Sequence, residues 1–352
     1  MRKLASIQEV TSIDPIPKAD AIERLRILGW SVVARKGAFQ VGDRVIYCEI
    51  DSLLPERPEF EHLRSSSFKP ELVEAGEVVQ PAGFRIKTVK LRGQVSQGIC
   101  FPVSLLAEDQ QLEIGQDVSA EMGIIKYEQP VPAGMGGAVK GAFPGFLPKT
   151  DEIRIQTAEH LLDEYAGMTF EMTEKLDGTS YTAFLHDNEF GICSRNQWID
   201  ETDPQNLLAN VSGQLQLKEK LIQLSELTGR DVAIQGELIG PKIQKNKYKL
   251  KEYELYVFNL VDVGEYRLFD RQQQLELIEQ VGLKHVPSLG EIPLNHTVDQ
   301  IIDLSIGMSV LNRQTHREGI VFRPLQDQDD ATIGGRLSFK AINPKFLLKY
   351  DE

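Results

Sequence analysis

Residues 129–150 read QPVPAGMGGAVKGAFPGFLPKT, and proline and glycine at this density resist both a helix and a continuous ladder of strand hydrogen bonds. Such a segment divides a chain. It places a linker at 129–149, with one module of residues 1–128 before it and another of residues 150–352 after it. A length of 352 residues, 41% hydrophobic and 26% charged, suits two globular domains that each bury a core.

The two modules differ in pattern. In the first, WSVVA, DRVIYCEI, FRIKTVKLR and GICFPV are short β-branched or aromatic runs set between Gly, Asp and Pro turn signals. With helical interruptions expected at 19–28 and 102–109, this spacing fits a five-stranded, OB-like β-barrel. The second module mixes strand-like runs (MTFEMTEKL, SYTAFLH, DVAIQGELIG, YELYVFNLVD, EGIVFRP, RLSFKAI) with amphipathic helical stretches at 215–228 and 271–281. The fold class is therefore α+β.

Composition narrows the function. No run approaches the ~20 apolar residues of a membrane span, and the opening MRKLASIQEV is too short in apolar residues for a signal peptide, so a cytoplasmic protein is expected. Cys48, Cys100 and Cys193 are far apart and suit reduced, buried thiols. No pair among His62, His160, His186, His285, His296 and His316 has zinc-ligand spacing, so the histidines read as structural. GGAVKG at 136–141 lacks the spacing of a phosphate-wrapping P-loop. A net charge of −13 argues against indiscriminate coating of nucleic acid. Local basic stretches remain: Arg85, Lys87, Lys90 and Arg92, and a run of Lys242, Lys245, Lys247, Lys249 and Lys251. Alone, each also suits a solvated face.

The sharpest signal is Glu174-Lys175-Leu176-Asp177-Gly178-Thr179, directly after a strand-like run. Its tetrapeptide KLDG would be only suggestive in isolation. Downstream, however, come Ser194-Arg195-Asn196, Gln235-Gly236-Glu237-Leu238, YVFN ending at Asn259, Glu318-Gly319-Ile320-Val321 and Ser338-Phe339-Lys340. In this order the segments resemble the nucleotidyltransferase motifs shared by DNA ligases, RNA ligases and mRNA capping enzymes. Because the barrel precedes them, the chain resembles the ATP-dependent RNA ligase branch, with an N-terminal OB module and a C-terminal nucleotidyltransferase domain of ATP-grasp-like antiparallel sheets and helices.

That resemblance implies a set of roles. Lys175 would attack the α-phosphate of ATP and carry AMP as a phosphoramidate, which requires a neutral amine in a group whose ordinary pKa is ~10.4. Burial with nearby cations, Lys340, Arg195 and a divalent metal, is expected to depress it. Lys340 would also meet the α-phosphate and the departing pyrophosphate, and Arg195 a phosphate or ribose. Glu318, Glu237 and Asp177 are the expected ligands of Mg²⁺ or Mn²⁺, directly or through water, with Glu237 alternatively touching the ribose. Phe258 would stack on adenine, and Glu174 would accept from its amino group. The partner would be RNA with 5′-phosphate and 3′-hydroxyl ends, as a nicked duplex or cleaved RNA, with Lys245, Lys247 and Lys249 docking it.

Two positions depart from the family pattern. Asn259 stands where many relatives have Asp, and Ser338 where many have the first lysine of a Lys-x-Lys pair, leaving Arg336, Lys345 or Lys349 to supply the cation. Two other readings are a non-catalytic RNA-binding OB protein, and a DNA ligase or guanylyltransferase of the same superfamily.

Overall fold

A computed structural model describes residues 2–74, 77–106, 112–128 and 137–350. The chain divides into two compact units, one of Met1–Pro130, Ile155–Glu159 and Pro344–Glu352, the other of Val131–Arg154 and His160–Asn343. The expected linker is redrawn by this division. Residues 129–136 lie outside the described residues, but Val139–Ala142 is a strand paired antiparallel with Gln197–Ile199, and Leu147 is buried among Phe184 and Val261. Apolar side chains within a glycine-rich stretch were enough to anchor it.

In the first unit, the strand Arg44–Cys48 lies between Ala5–Glu9 and Ile99–Pro102, antiparallel to both. Its side chains alternate between two cores: Ile46 and Cys48 join Ile7, Leu54, Phe84 and Phe101, while Val45 and Tyr47 join Leu25, Ile27, Trp30 and Val32. The second core is walled by a meander of Ser12–Pro15, Ile22–Ile27 and Trp30–Arg35. Here the sequence expectation fails. Residues 22–27 form a strand and not part of a helix, because Leu25 and Ile27 bury with a period of two and the backbone is paired on both sides. At 102–109 only a short 3-10 turn, Val103–Leu105, is described.

The second unit is built on two sheets. One has eight strands, in which Thr179–His186 lies between Glu189–Cys193 and Val232–Ile239, and the latter pairs with Glu254–Asp262. The other has five, with Thr169–Lys175 and Phe339–Ile342 flanking Gly319–Pro324. Most pairings are antiparallel; Ile153–Arg154 joins Phe339–Ile342 in parallel. The helices Leu217–Thr228 and Arg271–Gln280 pack Leu221, Leu224, Leu277 and Ile278 onto the eight-stranded sheet. Only Leu176, Asp177 and Gly178 separate the end of Thr169–Lys175 in one sheet from the start of Thr179–His186 in the other. That short turn is where the two sheets meet.

Candidate active site

Register brings the charged groups together. Lys175 ends its strand opposite Gly319, so Glu318, one residue earlier, meets it: the Lys175 ammonium is 2.7 and 2.8 Å from the two Glu318 carboxylate oxygens. Gly319 is required there, since a β-carbon would overlap the Ala341 carbonyl oxygen. Across the turn, Ser180 pairs with Glu237, and Glu237 Oε1 accepts the Gly178 N–H at 3.0 Å. Lys340 enters from Phe339–Ile342, paired with Val321. Lys175, Glu318, Glu237, Asp177 and Lys340 thus share one electrostatic cluster.

Their surroundings set the proton positions. Burial pushes Lys175 down, but Glu318, Glu237 and Asp177 outweigh it and the net direction is up. The expected depression falls instead on Lys340, lowered to about 7 by burial and by the charges of Lys175 and Arg154, against Asp151 and Glu318. Glu237 is raised to about 8, first by burial and then by Glu318 and Asp177, with Lys175 opposing. A partly buried surplus of carboxylate charge is a fit for a hard cation, and the donor set is all oxygen. Among the described residues the three carboxylates do not close into a trio within 4.8 Å, so they suit an ion that keeps its waters; the trio that does is His186, Asp187 and Asp231 at a hairpin.

Asp177 is already engaged. Its carboxylate pairs with Lys247, both side chains being nearly buried, and its N–H donates to the Tyr248 hydroxyl at 2.7 Å. Lys247 is therefore withdrawn from the exposed lysine run in which the sequence placed it.

Glu174, on the same strand as Lys175, is 1% exposed. Its Oε2 accepts the Val310 N–H at 2.8 Å, while Oε1 is buried without a hydrogen-bond partner. Burial pushes the carboxyl up, with the Ser309 hydroxyl and Val310 amide opposing. Met308, Ser309, Val310 and Arg313 line a cavity of about 440 Å³. Phe258 is half-buried near Leu176, Tyr248 and Tyr256, with the Arg323 guanidinium 5.8 Å from its ring. Arg195 is half exposed and pairs with Asp151 at 2.5 Å.

The departures from the family pattern have structural accounts. Asn259 is buried and donates to Gln235, whose amide donates to the Pro148 carbonyl, both at 2.7 Å. Ser338 is buried and donates to Glu152, a carboxylate that also takes Arg323 and Arg336 at 2.7 and 3.2 Å. Burial opposes ionisation of Glu152, but the two arginines and Ser338 hold it at about 2. Arg336 is thus committed to Glu152, and Lys345 and Lys349 fall in the first unit. The cation beside Lys340 is Arg154, its register partner in the parallel pair. Sequence reading missed it because a two-residue parallel pairing across 186 positions leaves no local pattern.

The RNA ligase family model matches residues 168–342, and an OB-fold domain model matches residues 4–103. No curated protein sequence matches the chain. Among solved structures, the chain is similar to Naegleria gruberi RNA ligase with PPi, at 36% identity over 100% of this chain and 99% of that one, with a TM-score of 0.88. A glutamate-to-alanine mutant of that ligase with ATP and Mn matches at 35% identity over 100% of both chains, TM-score 0.88. A lysine-to-methionine mutant with AMP and Mn matches at 36% over 98% of both, TM-score 0.86. With likeness of this degree over the whole length, the OB fold ahead of the ligase domain and the charged cluster between its sheets, the chain belongs to the RNA ligase family.

Proposed function

We propose that this RNA ligase is ATP-dependent and that Lys175 is the residue it adenylates. The observation that carries the assignment is the convergence on one amine: Lys175 Nζ sits 2.7 Å from Glu318 within a cluster that also holds Glu237, Asp177 and Lys340. Unprotonated, Nζ attacks the α-phosphorus of ATP. The N–P bond forms, the bond to the bridging oxygen breaks and pyrophosphate leaves, while the amine proton has Glu318 within hydrogen-bond reach. Lys340 and Arg154 place adjacent positive charge for the phosphate oxygens, in the role expected of the Lys-x-Lys pair. Arg195 adds a planar guanidinium for phosphate or ribose. Phe258 offers its face to adenine, and the unpartnered Glu174 Oε1 suits the adenine amino group, which favours ATP over GTP.

A divalent metal, Mg²⁺ or Mn²⁺, would be held by Glu318 and Glu237, with Asp177, and would supply positive charge for the phosphate oxygens. AMP then passes to an RNA 5′-phosphate, and a 3′-hydroxyl displaces it to seal the strand. A nicked duplex or a cleaved RNA in the cytoplasm is the proposed substrate.

The test is incubation with α-labelled ATP, and separately GTP, with either metal, followed by denaturing gel and intact mass. The expected result is one AMP adduct, absent from Lys175→Ala, with little label from GTP. An adduct that survives in Lys175→Ala would remove the assignment.

A further inference from the structure

The loop between Val232–Ile239 and Glu254–Asp262 holds the densest lysine run in the chain, and the structure separates its members. Lys242, Lys245, Lys249 and Lys251 are exposed, whereas the Lys247 side chain is 6% exposed and paired with Asp177, itself at 9%. A buried lysine–carboxylate pair contributes little net stability over an apolar pair of the same size, so its value here has to lie in geometry.

That geometry centres on the turn just after Lys175. Tyr248 takes the Asp177 N–H at 2.7 Å, and Gln244 Nε2 donates to the Gly178 carbonyl at 3.3 Å. From the neighbouring strand, Glu237 takes the Gly178 N–H. The loop is itself braced: Asn312 Nδ2 donates to the Lys247 carbonyl at 3.0 Å, and Asn246 bonds both the N–H and the C=O of Leu250. Lys242, Gln244, Lys245, Asn246 and Lys249 all have positive φ, from 43 to 66°, a region that asparagine tolerates but lysine and glutamine seldom enter. Gly178 completes the fit, since a β-carbon there would overlap the Leu238 carbonyl oxygen.

We infer that Lys247, aided by Tyr248 and Gln244, is a positioning residue for the first chemical step: it locks the Asp177–Gly178 turn and thereby the direction in which Lys175 presents its amine. The inference rests on Lys175 being the adenylated residue. In-line attack tolerates little displacement, and a shift of about 1 Å costs on the order of a hundredfold in rate.

Rapid-quench adduct formation across a range of ATP concentrations tests this, beside sealing of an RNA strand supplied already adenylated at its 5′ end. Lys247→Met is expected to lower the maximal adduct rate about a hundredfold with half-saturating ATP changed less than about threefold, and Lys247→Arg to restore about a tenth of it or more. Sealing of the pre-adenylated strand should fall by less than about tenfold. A wild-type adduct rate in Lys247→Met, an effect confined to half-saturating ATP, or equal loss in both assays would each overturn the inference. Should thermal melting find Lys247→Met unfolded, Tyr248→Phe, which removes one hydroxyl, decides: about tenfold loss in the same step is expected, and none overturns the lock. An AMP adduct that persists in Lys175→Ala would instead remove the underlying assignment.

Discussion

Glu152 immediately precedes the strand Ile153–Arg154, Lys340 lies on that strand's parallel partner, and each has arginine charge close by. Arg336 is bound to Glu152 at 3.2 Å in a partly buried cluster, whereas Arg154 lies beside Lys340 and helps to depress it. The two arginines should therefore fail differently. Arg154→Ala is expected to lower the adduct-forming rate about a hundredfold with the unfolding midpoint little changed, as for loss of a preorganised phosphate contact. Arg336→Ala should remove one of two arginine partners of Glu152, with Arg323 and Ser338 remaining, and cost about 1.5–3 kcal/mol, read by urea unfolding, while the folded fraction adenylates normally. The reverse pattern would make Arg336 the substitute for the missing lysine. Glu174, by contrast, keeps one buried oxygen without a partner, which leaves it free to accept the hydrogen bond proposed for it.

The helix Arg271–Gln280 and the short strand Lys284–His285 are joined by one polar knot. Arg271 binds Glu171 through two nitrogens at 2.5 and 2.6 Å, Gln274 donates to His285 Nε2 at 2.8 Å, and His285 Nδ1 donates to the Val286 carbonyl at 2.8 Å. Burial, with the Arg271 charge, lowers His285 to about 4 from 6.5. The unfolded chain therefore takes up this proton first as pH falls. Stability from the neutral ring is whole above pH 6.5 and is lost towards pH 4, by up to about 3 kcal/mol. Urea unfolding of wild type and His285→Asn at pH 7.5, 6, 5 and 4.5 should give a difference that shrinks as the pH drops. Parallel curves would show that the ring is not held neutral. The six histidines were read as structural, and this one is.

At the scale of the molecule, a net charge of −13 has to be reconciled with an RNA substrate. The exposed lysines beside the Asp177–Gly178 turn are the proposed place of that reconciliation. With Lys247 paired to Asp177, the proposed RNA docking falls to its exposed neighbours. Replacing Lys245 and Lys249 by Gln is expected to weaken sealing at physiological salt, to flatten its salt dependence by up to ~2 in log–log slope and to leave the adduct rate unchanged. Equal loss of adduct formation would place these lysines in the first step instead. Among the described residues, no helix is long and apolar enough to cross a membrane.

The sequence by itself determined the α+β class and, in the second unit, the six strand-like runs and the two helices near 215–228 and 271–281, but not the helices Leu207–Gln214 and Val298–Ser305 or the strand Ser288–Pro293. Period-two and 3.6-residue patterns are local, and KLDG, ELIG, EGIV and SFK are ordered segments that pair through long ladders. It misplaced residues 22–27 because a short apolar run fits either period until partner strands are known. Only the tertiary structure decided that Arg154, not Arg336, stands beside Lys340, that Lys247 leaves its basic run to hold Asp177, and that Lys340, not Lys175, is the depressed amine. Each depends on which groups meet across distant strands and on how much water they lose there, and neither quantity is written in residue spacing.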